Sequence, residues 1–139
     1  MTVEHFRVCV IGAGPTGLTA LKNVAAAGIT ALVCHEAQDS TGGIWVYSEN
    51  PDRPSVYKTA HTISSKRLSQ FPDFPMPDEY PDYPSNAQIL AYMRAYEAHF
   101  GLSGYIRLNS RVENVTRQPD GRWLIEVDRD GERYTHTAD

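Results

Sequence analysis

Six residues near the start of the chain, Gly12-Ala13-Gly14-Pro15-Thr16-Gly17, set three glycines at the spacing G-x-G-x-x-G. The apolar run Val8-Cys9-Val10-Ile11 precedes them, and Leu18, Leu21, Val24 and Ala25 follow at helical spacing. The turn therefore stands between a strand and a helix, which is the context that gives the pattern chemical meaning. Gly12 permits the tight turn, Gly14 leaves room for a pyrophosphate against the backbone, and Gly17 lets helix and strand close up. The helix N-terminus, with Pro15 at a position that tolerates proline, offers free N–H groups and partial positive charge to phosphates. Glu36 follows 19 residues after Gly17, with no arginine beside it. An acid there accepts hydrogen bonds from a ribose diol and repels a 2′-phosphate, which points to FAD or NAD and away from NADP at this site. A second glycine turn, Gly42-Gly43-Ile44-Trp45, comes six residues later. It favours FAD, since a second close passage of the backbone suits a longer cofactor.

These residues need a βαβ unit to hold them. Phe6 to Ile11 reads as a strand covered on both faces, Pro15 onward as a helix stopped by Gly28, and Thr30 to Cys34 as a second parallel strand. Residues 37–84 are different. They hold seven of the nine prolines and many aromatics, from Trp45 to Tyr83, a composition that predicts an ordered, irregular excursion rather than a disordered linker. A helix follows: Ser85 and Gln88 match a capping box, and Ile89, Met93, Tyr96 and Phe100 mark one face, with Gly101 as the stop. Tyr105 to Leu108 suits a third parallel strand. Val112–Arg117, Arg122–Asp128 and Glu132–Thr137, separated by Asp120-Gly121 and Asp130-Gly131, predict a three-stranded antiparallel meander.

Composition sets outer limits. The chain has 139 residues, 41% hydrophobic and 22% charged, with a net charge of −4, which suits a globular domain and argues against nucleic acid as a partner. No window has the length of a membrane span. The start has no signal-peptide pattern, and the expected location is cytoplasmic. Cys9 reads as a buried structural thiol. Cys34 adjoins His35, but two adjacent residues cannot by themselves supply a tetrahedral zinc set. His5, His99 and His136 read as surface residues, and Lys66 and Arg67 as a solvated pair. No redox pair C-x-x-C or C-x4-C is present.

GAGPTG at 12–17, Glu36, GGIW at 42–45, SVYK at 55–58, DFPMP at 73–77 and YPDYPS at 80–85 together resemble the amino-terminal part of the flavin-containing monooxygenases. The proline-rich pieces are the most specific. The resemblance implies an α/β, Rossmann-like FAD-binding fold, incomplete here, with a proline-rich insertion at 37–84 and an antiparallel β-meander at 112–137. It implies that Gly12 to Gly17 and Glu36 hold FAD, that Gly43, Ile44 and Trp45 contact it, and that Thr62 and Ile63 approach flavin and nicotinamide. It also implies that Val112, at the end of the third sheet strand, lies near the adenine. Many members have asparagine at the position of Ile63, and isoleucine cannot repeat the work of that amide. The implied activity is FAD- and NADPH-dependent monooxygenation of a small molecule by molecular oxygen at a soft nitrogen or sulfur, with Baeyer–Villiger oxygenation as the neighbouring chemistry. The NADPH-binding domain is expected beyond residue 139, as is a return strand completing the FAD sheet. The alternative expectation is a truncated or degenerate nucleotide-binding fragment without catalysis.

Overall fold

The computed structural model describes residues 3–139. Two sheets stack on each other. The parallel one has the order β2-β3-β4, from β2 (Val8–Ile11), β3 (Leu32–His35) and β4 (Ile106–Arg107); Val10 pairs with Cys34 and Cys34 with Ile106. The other has the order β1-β7-β6-β5, from β1 (Glu4–Phe6), β5 (Ser110–Arg117), β6 (Trp123–Arg129) and β7 (Glu132–Ala138). The meander is thus β5-β6-β7. At its second hairpin Asp130 and Gly131 both have positive φ, 53° and 86°, as a tight primed turn requires. The long first strand expected over Phe6–Ile11 is two strands in different sheets. The chain switches sheets at Arg7, whose N–H donates to the Ala31 carbonyl at 2.8 Å, while Glu4–Phe6 lies parallel to His136–Ala138.

Alternation along the strands gives the parallel sheet two unlike faces. Val8, Val10, Leu32, Cys34 and Ile106 face the helical side, where α1 (Pro15–Ala26) contributes Leu18 and Leu21 and α3 (Asn86–His99) contributes Ile89, Tyr92, Met93 and Tyr96. Leu18 and Leu21 are both 0% exposed, and full burial of such a side chain stabilises by about 1.5–3 kcal/mol. On the other face Cys9 meets Ile125, Val127, Ala138, Val112 and Tyr134 of the second sheet. The capping box forms as expected: the Gln88 N–H donates to Ser85 Oγ and the Ser85 N–H to Gln88 Oε1.

The excursion over 37–84 is ordered by specific contacts. Phe71 and Phe74 stack among Tyr92, Tyr96 and Phe100. The Tyr92 hydroxyl accepts from the Phe71 N–H and donates to the Phe74 carbonyl. Lys66, at the start of the single-turn α2 (Lys66–Ser69), donates to the carbonyls of Pro77, Asp78 and Tyr80 at 2.9–3.3 Å. It clamps the proline-rich loop and is not half of a solvated pair; its run of carbonyl acceptors is set by a loop fold that composition does not reveal.

Candidate cofactor site

The site begins where β2 ends. Gly12 has φ +92° and donates its N–H to the His35 carbonyl at 2.8 Å, which locks the turn to the neighbouring strand. A Cβ on Gly17 would stand 1.8 Å from the Gly12 carbonyl oxygen, so only glycine lets α1 start this close to the turn. Gly14 is the N-cap of α1, no side chain caps that end, and no acid sits in its first turn. The helix N-terminus is thus uncapped by any side chain, and such ends attract anions. Ala13 is buried between Gly12 and Gly14, Pro15 opens the helix, and Thr16 is exposed at its rim.

Glu36 lies just past β3 and is 7% exposed. Its Oε2 accepts the Ala13 N–H at 2.7 Å and its Oε1 the Gln38 N–H at 2.8 Å. One carboxylate therefore staples the glycine turn to the end of β3, a structural task that sequence spacing did not reveal. Each oxygen retains acceptor capacity for a ribose hydroxyl. Beside it, Cys34 Sγ–H points to the Gly12 carbonyl at 3.5 Å, and burial pushes the thiol pKa up to about 12, which keeps the sulfur protonated at neutral pH.

The second glycine turn leans on the first. The Gly42 N–H donates to the Ala13 carbonyl at 2.9 Å. A Cβ on Gly43 would lie 3.1 Å from Gly14 Cα, so the two turns meet backbone to backbone, whereas a Cβ on Gly42 would strike Leu90 of α3. Gly43–Trp45 forms one 3-10 turn, with Trp45 packed on the core and Ile44 half exposed. Here opens a cleft of about 470 Å³, lined among others by Pro15, Ile44, Trp45, Thr62, Ile63 and Met76. Thr62 Oγ1 is buried without a partner, while its N–H is tied to the Pro84 carbonyl at 3.0 Å. Ile63 is 100% exposed. A larger depression of about 720 Å³ lies against the four-stranded sheet among Glu4, Glu113, Glu126 and Arg133, and contains none of the glycine-turn residues.

Of the thirteen expected site residues, Gly12, Ala13, Gly14, Gly17, Glu36 and Gly43 are joined by the contacts of the two glycine turns, Pro15, Ile44, Trp45, Thr62 and Ile63 line the cleft, and Thr16 is exposed at the start of α1. Val112 is placed differently. The third parallel strand ends at Arg107, and Val112 lies in β5 opposite Val127, packed into the meander's core. Its neighbourhood still reaches the site through Ser110, whose N–H donates to the Glu36 carbonyl at 2.8 Å. His136 is also not where the sequence put it: it is 0% exposed, because β7 turns Tyr134, His136 and Ala138 toward the parallel sheet.

A sequence profile described as "FMO-like: Flavin-binding monooxygenase-like" matches residues 5–139. The chain belongs to this family. Flavin-containing monooxygenase 5 of Rattus norvegicus is 39% identical over 139 residues, covering 96% of this chain and 26% of that protein; its Homo sapiens counterpart is 38% identical over the same shares. The chain spans about a quarter of the length of these curated family members. Among solved structures, the S-allyl-L-cysteine S-oxygenase of Allium sativum superposes with a TM-score of 0.85 at 23% identity, over 99% of this chain and 35% of that one, and shows the shared fold. The flavin-containing monooxygenase of Stenotrophomonas maltophilia gives 0.76 at 28% identity, over 96% and 36%. A steroid monooxygenase bound to NADP gives 0.77 at 26%, over 97% and 25%. Among the described residues no helix is long and apolar enough to cross a membrane.

Proposed function

We propose that this chain is the FAD-binding portion of a longer FAD- and NADPH-dependent monooxygenase that oxygenates soft nitrogen or sulfur nucleophiles, with the NADPH-binding domain beyond residue 139. The observation that carries this reading is the backbone contact of Gly14 with Gly43, flanked by the Glu36 carboxylate on one side and the Thr62-lined cleft on the other. The residues fit FAD: the helix end is uncapped, a Cβ on Gly14 would meet only Gly43, and Thr62, whose buried hydroxyl lacks a partner, is among the residues that line the cleft. When bound, the flavin supplies the electron transfer from NADPH to oxygen and the delivery of one oxygen atom to substrate. Gly14 and the α1 N-terminus would take the pyrophosphate, Glu36 would accept from the ribose, and Thr62 would lie beside the ring system. Ile44, Trp45 and Ile63, which line the cleft, would give it an apolar side. The outer edge of β2, paired with no strand among the described residues, is the place for a return strand.

The test is to purify the longer protein, release its small molecule by heat and identify it. FAD is expected; no flavin, with stoichiometric tight NADP on this segment, would overturn the reading. A second reading, a nucleotide-binding fragment without catalysis, is favoured by Ile63, which offers neither donor nor acceptor at the cleft mouth. Product formed from a thioether, followed beside NADPH consumption and peroxide release, separates the two. For residues 1–139 alone, no NADPH-dependent product is expected, because positioning two cofactors needs both sites.

A further inference from the structure

Cys9, His35 and His136 come from β2, β3 and β7, and one ligand atom from each lies within 4.8 Å of the others. Both rings are buried, at 1% and 0% exposure, and their Nε2 atoms are 3.4 Å apart. That separation is long for a hydrogen bond. It equals the edge expected when two imidazoles bind one tetrahedral cation at about 2.0–2.1 Å. Around them, His35 Nδ1, His136 Nδ1 and the Tyr134 hydroxyl are buried without a partner, three of the four such side-chain atoms among the described residues. A cation held by the two Nε2 atoms would not reach these three atoms; what it would relieve is the facing Nε2 pair, which has no partner but each other.

We propose that Cys9, His35 and His136 form a binding site for a borderline divalent metal of the zinc class, joining the two sheets. One soft thiolate and two imidazoles are the donors such a cation selects, in contrast to the all-oxygen sets of magnesium or calcium. The thiolate cancels one of its two charges. The nearest cation, Arg107, is already paired with Glu4 through two hydrogen bonds of 2.6 and 2.9 Å. Cys9 alone of the three lines a groove of about 310 Å³, between Ile11, Val115 and Trp123, so a cation would enter on the sulfur side. From this groove a water can complete the fourth position. Cys34, next in sequence to His35, takes no part, because its sulfur lies on the opposite face toward Gly12.

The experiment is a titration of the tag-free protein with Co²⁺ and then Zn²⁺, with far-ultraviolet circular dichroism confirming that the sample is folded. One equivalent of Co²⁺ should give a sulfur-to-cobalt charge-transfer band and tetrahedral-type visible bands, all displaced by one equivalent of Zn²⁺, which also raises the thermal midpoint. Cys9→Ala should abolish the charge-transfer band, and His136→Gln should weaken cobalt binding by at least about tenfold. Cys34→Ala should change neither. A folded parent without a sulfur band at saturating Co²⁺ overturns the proposal, including the case of weak binding at exposed groups such as His5 and Asp139. A band that survives Cys9→Ala, or disappears in Cys34→Ala, overturns it as well.

Discussion

On the helical face of the parallel sheet, Gly17 meets the Gly12 carbonyl and Gly14 meets Gly43; on the other face, Cys9 and His35 meet side chains of the meander. The first face is a contact between backbones: at Gly17 it leaves no room for one more carbon, while at Gly14 an added Cβ would come to ordinary contact with Gly43. The second is a contact between side chains carried more than a hundred residues apart, and it is sensitive to chemistry and volume rather than to backbone approach. The site proposed for FAD sits on the first, the proposed metal on the second. The two faces should therefore fail in different ways.

The largest effect is expected at Gly17→Ala. Its methyl would be driven into the backbone of Gly12, and a loss of about 4 kcal/mol or more, read as a lowered thermal midpoint or absent cooperative unfolding, is expected. Gly104→Ala, with nothing within 4 Å of the added carbon, should stay within about 0.5 kcal/mol of the parent. Next comes Gly14→Val in the longer protein, which should abolish flavin retention with much less damage to folding; a variant that keeps its flavin would break the comparison on the helical side. Ile125→Ala should do the reverse. Ile125 is 2% exposed in the meander's core, so about 2–5 kcal/mol of stability should be lost, while the folded fraction still carries stoichiometric flavin.

Glu36→Ala sharpens the boundary between the two kinds of effect. It removes the acceptor of both the Ala13 and Gln38 amides, each such charge-assisted bond being worth about 1.5–3 kcal/mol. Flavin affinity and chemical stability should therefore fall together, unlike in Gly14→Val. The smallest effect concerns acid. The Arg107 guanidinium bonded to Glu4 holds that carboxyl below its usual range. The folded value lies under the unfolded one, so the pair stabilises at neutral pH, and this part is lost as pH falls through the carboxylate range. Half exposed, the pair is worth roughly 0–1 kcal/mol. Urea midpoints of the parent and Glu4→Gln should differ slightly near pH ~7 and converge near pH ~3.

The helical face was legible in the sequence because its information is local. Three glycines at fixed spacing, an acid 19 residues on and a capping box each state a backbone geometry within one or two elements. The hairpins were legible for the same reason, through Asp120-Gly121 and Asp130-Gly131. What stayed hidden is set by strand pairing across the chain. His136 read as a surface residue because its neighbours Thr135 and Thr137 are polar, and only the pairing of β7 with both β1 and β6 turns it inward. The break at Arg7 was hidden too: the apolar run Val8–Ile11 announces β2, but nothing in Glu4–Phe6 says that it pairs with a strand 132 positions later. Lys66 found its three carbonyls only through a loop whose course the prolines constrain but do not spell out.

The pairing of β1 with β7 also governs when the molecule can be finished. Glu4–Phe6 is made first, yet its partner His136–Ala138 lies 132 positions later, so the ribosome must deliver nearly all of these residues before that ladder can close. The βαβ unit and the hairpins are shorter-range and can form earlier, whereas contacts of such high separation are slow to reach. During synthesis the first strand waits with an unpaired edge, an opportunity for mispairing that a chaperone or prompt docking of the meander must guard.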